Sequence, residues 1–159
     1  MGASWWSYVT RYHGDVAAAL RELQERVFDE GDYYWWDEFG DYEPRPTSVE
    51  QIRTDPERWT SGTHSILDID RAVDTTDPRN GVSSTDHGTV RPLAAASAAR
   101  LFGTARPSRA QFEGLAGDHA NPRHNEFISE VRARWTGCYV LLYDGDTPAE
   151  VGFWGYSGD

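Results

Sequence analysis

Two apolar runs, Cys138-Tyr139-Val140-Leu141-Leu142-Tyr143 and Glu150-Val151-Gly152-Phe153-Trp154-Gly155-Tyr156, flank the polar stretch Asp144-Gly145-Asp146-Thr147-Pro148. Strand-favouring residues on both sides of an Asp-Gly loop predict a β-hairpin, and that hairpin is the frame on which the rest of the chain has to pack. Trp5 to Tyr12 adds a strand, with Trp6, Tyr8 and Tyr12 on one face at two-residue spacing and Thr10 between them. Asp15 then caps a helix over 15–30, in which Val16, Leu20, Leu23 and Val27 recur at four, three and four residues and Gly31 closes the pattern. This stripe is expected to lie on the sheet that contains the hairpin. The far side of the helix holds Arg21, Glu22, Glu25 and Arg26, with Glu22 and Arg26 spaced for an ion pair.

Between these firm points the signals are shorter. Ser48 with Gln51 predicts a capping box for a brief helix that Pro56 disturbs, and Ser65-Ile66-Leu67-Asp68-Ile69 reads as a strand. Residues 74–88 are polar and turn-rich, with Asn80-Gly81 as a turn, so a loop is expected there. Thr89 to Arg91 offers a short strand, 93–102 an alanine-rich helix closed by Gly103, Ser108 with Gln111 another brief helix, and Asn121-Pro122 the start of one reaching about Arg132. Strands and helices do not alternate as a doubly wound sheet requires, and no fixed-period repeat is present. The expectation is an α+β fold, residues 1–159 forming a single domain with helices packed on a mostly antiparallel sheet.

Charge bears on the partners. The chain has 26 acidic residues against 15 basic ones, all arginine, for a net charge of -11. A field of that sign repels nucleic-acid backbones and anionic lipid, so direct nucleic-acid binding and membrane binding are not expected. The imbalance is lopsided: residues 1–80 carry a net charge of -9 and residues 81–159 only -2. No apolar run is long enough to span a bilayer, and Met1 to Thr10 lacks the pattern of a signal peptide, which together predict a cytoplasmic location.

Several short motifs look alike in another group of proteins. Ser7-Tyr8-Val9 with Tyr12, Asp15 and the Ala-Leu helix, the Ser65 to Ile69 run, Leu101-Phe102-Gly103-Thr104, and the closing Gly155-Tyr156-Ser157 with Asp159 resemble a family of small uncharacterised bacterial proteins. The resemblance implies a single-domain boundary and brings no activity or cofactor with it.

The most unusual window is 29–43, which packs seven carboxylates and six aromatic residues together with no basic residue. Two readings stand beside each other. In the first, Trp35 or Trp36 packs under the first helix while the charged neighbours face water. In the second, Tyr33, Tyr34, Trp35, Trp36, Asp37, Glu38, Phe39, Asp41 and Tyr42 form a contact surface, aromatic rings supplying rigid area and carboxylates steering a basic protein partner. A third arrangement, an aromatic cage lined by Trp5, Trp6, Tyr8, Tyr12, Trp35 and Trp36, would hold a small ligand.

Catalytic signatures are weak by comparison. His13, His64, His87, His119 and His124 are scattered; Asp118, His119 and His124 come closest to a metal cluster, but the spacing matches no usual zinc pattern, and no metal or other cofactor is expected. His13 with Asp15, and Asp86 with His87, are equally well explained by a helix cap and a loop. Cys138 heads an apolar strand, which predicts a buried, inert thiol. Neither a phosphate loop nor a nucleophile elbow is present. The sequence thus points to a non-enzymatic acidic binding domain, an immunity or inhibitor protein covering a basic partner such as a nucleic-acid-directed toxin. The alternative is a small-molecule-binding domain or small accessory enzyme with an aromatic-lined pocket.

Overall fold

Tyr139 to Tyr143 is apolar at every position, so a strand built from it must be covered on both faces, and this property organises the fold. The computed structural model describes residues 3–35, 44–77 and 86–158. In chain order the elements are β1 (Trp5–Arg11), α1 (Val16–Glu30), α2 (Val49–Thr54), α3 (Arg58–Ser61), a 3-10 turn (Ile66–Asp68), β2 (Arg71–Ala72), β3 (Thr89–Pro92), α4 (Ala95–Phe102), α5 (Arg109–Ala116), α6 (His124–Ile128), β4 (Thr136–Asp144) and β5 (Thr147–Tyr156). The sheet has five strands in the order β1-β5-β4-β3-β2. The long ladders, β1 with β5 and β4 with β5, are antiparallel, and the short ones, β3 with β4 and β2 with β3, are parallel.

Alternation along the central strands feeds two separate cores. Tyr139 of β4 and Val151 and Phe153 of β5 join Leu20, Leu23 and Val27 of α1, Ile52 of α2 and the buried run Ile66, Leu67 and Ile69. Cys138, Val140, Leu142 and Trp154 turn the other way, to Leu101 and Phe102 of α4, Phe112 and Leu115 of α5 and Phe127 of α6. The class is α+β as expected, with helices on both faces of a mixed sheet. Each face is filled by an aromatic ring lying over a strand glycine: a Cβ on Gly155 would sit 2.2 Å from the Trp6 ring, and one on Gly152 would sit 2.6 Å from Phe112. Those glycines serve close approach, as strand glycines do when a neighbour packs onto the backbone.

The caps of α1 form as its sequence predicts. Asp15 accepts from the Ala17 and Ala18 N–H groups, and Gly31 ends the helix at φ 67. The buried stripe includes Gln24 beside Leu20, Leu23 and Val27, while Val16 is only half-buried. Arg26 donates to the Val9 carbonyl at 3.0 Å instead of pairing with Glu22, which faces His13 at 3.7 Å. Ser108 and Gln111 form a full capping box at the start of α5. The hairpin turns through Gly145 and Asp146, with Asp144 paired to Thr147.

Two expectations are corrected. Ser65 to Ile69 is not a strand: the Ser65 hydroxyl accepts from the Leu67 N–H and winds Ile66–Asp68 into a 3-10 turn, fully buried. Apolar side chains on every side of such a turn give the same letters as a buried strand. The last helix is also shorter than 121–132. Asn121 Oδ1 accepts from the Arg123 N–H, which makes a turn before α6 begins at His124.

Candidate functional site

The described part of the acidic-aromatic window, residues 29–35, leaves α1 and enters the first core. Tyr33 stacks on Phe28 with ring centroids 5.7 Å apart, and Tyr34 stacks on His64 at 4.6 Å while its N–H donates to the Thr63 carbonyl. Trp35 is 2% exposed and belongs to the core, so it is not an anchor presented on a convex surface. Trp36, Asp37, Glu38, Phe39, Asp41 and Tyr42 lie outside the described residues. Of the cage candidates that are described, Trp6, Tyr8, Tyr12 and Trp35 lie in or against the first core, while Trp5 turns to the second. The cleft that Trp35 lines is otherwise made by Pro44, Pro46, Gln51, Thr54, Asp55 and Pro56.

Among the described residues, the one large apolar side chain standing in the open is Trp59, 38% exposed. Its neighbour in α3, Arg58, points inward and is 1% exposed. Arg58 makes two parallel bonds to the Asp70 carboxylate, 2.9 and 3.1 Å, and its guanidinium carbon lies 4.2 Å from the Trp59 ring centroid. Trp135 meets Trp59 edge-on at 5.2 Å and His87 stacks beside it at 6.1 Å. The backbone closes the same corner: Asp70 N–H donates to the Gly88 carbonyl and Gly88 N–H to that of Trp135. Gly88 has φ 76, and a Cβ there would lie 2.6 Å from Asp70 Oδ2, so both its conformation and its neighbours require glycine. His64 and Trp135, the two non-glycine residues with positive φ among the described residues, belong to the segments that build this corner.

Beneath the surface Asp68 is fully buried. Its Oδ1 accepts from the Thr63 N–H at 2.7 Å and its Oδ2 from the Ser157 hydroxyl at 2.5 Å, tying the end of β5 to the turn before β2. Burial pushes this carboxyl above its ordinary range, against the opposing pull of those bonds and of Arg58. The corner packs Trp59 against Arg58, Trp135 and His87 and pairs the buried Arg58 with Asp70. In the chain Glu57 lies two residues before Trp59 and Asp86 next to His87, while the Asp70 carboxylate is paired with Arg58. Nothing in the sequence singled out Trp59, because a lone tryptophan in a polar stretch has no periodic partner.

The other candidates fall elsewhere. Cys138 is fully buried and burial pushes its thiol up to about 12, as an inert core cysteine requires. Asp15 is occupied as a helix cap rather than by His13. His119 and His124, though separated by a turn, have their rings in contact. Among the described residues no group of three or more His, Cys, Asp or Glu is placed to hold a metal ion, and no helix is long and apolar enough to cross a membrane. No family model, curated protein or solved structure matches the chain.

Proposed function

We propose that the protein is a non-enzymatic acidic binding domain of immunity or inhibitor type, which covers a basic protein partner such as a nucleic-acid-directed toxin. The observation that carries this reading is Trp59: an exposed ring packed between Arg58, Trp135 and His87. A rigid aromatic loses little entropy when a partner closes over it, and such residues dominate interface energetics. The net charge of -9 over residues 1–80 would draw in a positively charged surface and disfavour an acidic one. Inhibition would then be occlusion, the acidic face occupying the site at which the partner holds phosphates. Trp36, Asp37, Glu38, Phe39, Asp41 and Tyr42 stay part of the proposed contact surface on the strength of their composition; Trp35 does not.

The test is capture of the partner from an extract of the source cells on immobilised protein, with Trp59→Ala as the matched control, followed by titration of the partner's own activity. A basic partner retained by the wild type, lost from Trp59→Ala and inhibited at one-to-one stoichiometry is the expected result. Retention that ignores Trp59→Ala, or a partner that keeps full activity in the complex, contradicts the proposal.

A further inference from the structure

We infer that His119 and His124 form a two-histidine site for a divalent transition-metal ion of the copper or nickel class. The pair lies between α5 and α6, away from the Trp59 corner. His119 Nδ1 and His124 Nε2 are 3.0 Å apart. The ring centroids are only 4.5 Å apart, with the planes at 70°. The contact is a bent, edge-on N–H···N hydrogen bond, and an ion that displaces its proton would find both nitrogens within reach. At a metal–nitrogen length of about 2.1 Å, nitrogens 3.0 Å apart subtend about 90° at the metal. That is the cis angle of tetragonal or octahedral coordination, preferred by Cu(II) and Ni(II), and narrower than a tetrahedral ion prefers.

The surroundings are those of an oriented ligand. His124 is 5% exposed, and its Nδ1 lies 2.6 Å from the carbonyl of Leu115, in the last turn of α5. A carbonyl only accepts, so Nδ1 carries the proton and Nε2 presents its lone pair, the outer-shell arrangement that fixes a ligating imidazole. Trp5 packs edge-on against the same ring at 6.2 Å. The turn that returns His119 over His124 is held locally, Asp118 accepting from the Ala120 N–H and Asn121 from that of Arg123. His119 is exposed, which leaves a path for the ion and lets its ring move the proton from Nδ1 to Nε2 as the metal takes Nδ1. No third His, Cys, Asp or Glu among the described residues completes the set, so the remaining positions go to water or to a donor brought by another molecule.

Titration of the untagged full-length chain with Cu(II), followed by calorimetry and electron paramagnetic resonance, tests the site. One equivalent should bind, with a spectrum showing two coupled imidazole nitrogens, and affinity should fall at least tenfold in His119→Ala while His13→Gln binds as the wild type does. Because the wild-type spectrum needs no variant, a folding defect in a histidine variant does not decide the matter. A single-nitrogen spectrum, or binding that survives His119→Ala unchanged, would overturn the inference.

Discussion

Arginines are bonded on both sides of the sheet, as Arg26 and Arg58 are on the side of α1, and the two sides differ in the carboxylates that closing the helices leaves over. Behind α4, α5 and α6 the arginines are consumed within the fold: Arg100 bonds Glu126 and Glu130, Arg109 bonds Glu113 and Glu150, and Arg123 reaches the Leu101 carbonyl. On the side of α1, Glu25, Asp29 and Glu30 form no ion pair among the described residues. Asp29 and Glu30 close α1, where the helix dipole disfavours negative charge, and no basic residue sits in that last turn. The end of α1 thus carries local repulsion, and the exposed Trp59 follows α2 in the same half of the chain.

Both sides should nevertheless be equally necessary for folding. Phe127→Ala, which empties the centre of the second core, should lose about 3–5 kcal/mol, and Leu23→Ala in the first about 2–5 kcal/mol. Urea denaturation of the two variants checks this, and a loss under about 0.5 kcal/mol on either side would mean that its layer is not a true core.

Asp68 gives the next largest effect. Asp68→Ala leaves the Thr63 N–H without its buried acceptor and should cost about 1–3 kcal/mol, whereas Asp68→Asn can still accept from Thr63 and donate to Ser157 Oγ. Since burial raises this carboxyl above its unfolded value, the native state keeps a proton that the unfolded chain has released. Its contribution is full below the unfolded value and is lost as pH rises through the folded one. Denaturation midpoints across the acidic range should therefore decline with rising pH more in the wild type than in Asp68→Asn. Identical profiles would show that Asp68 is not the group responsible.

Charge substitutions should have the smallest effects, and opposite signs on the two sides. Glu30→Arg should raise stability by about 0.3–1 kcal/mol by complementing the end of α1. Arg109→Ala should lower it by less than about 1 kcal/mol, because Glu113 and Glu150 are bonded at a well-solvated site. Thermal melts of the two variants at low ionic strength compare them directly; a stabilising Arg109→Ala would erase the distinction between the sides.

Local signals carried much of this architecture. Asp15, Gly31 and the apolar spacing between them define α1, and the hairpin follows from two apolar runs around Gly145, because caps, periodicity and turns act over a few residues. Long-range partners are not readable in that way. Gln24 is buried because its side-chain amide donates to the carbonyls of Ile66 and Ile69 while its Oε1 accepts from Arg53, none of them near it in sequence. Acidic neighbours suggested a surface role for Trp35, yet they do not dictate which way its own ring turns. Cover on the second face of the sheet was implicit in the unbroken apolar run of β4, but which helices supply it depends on contacts that only the folded chain makes. Trp59 gained meaning only when Arg58, Trp135 and His87 came together around it.

The central claim is that recognition runs through the acidic half, and binding kinetics with the captured partner test it most directly. Trp59→Ala should weaken affinity by about 2 kcal/mol or more, through faster dissociation, with the salt dependence of association unchanged. Joint neutralisation of Asp37, Glu38 and Asp41 should instead slow association and flatten its dependence on salt, since rim charges act over about 8 Å at physiological ionic strength. Wild-type kinetics in both variants, at low and physiological salt alike, would contradict the account and move the contact surface elsewhere on the molecule.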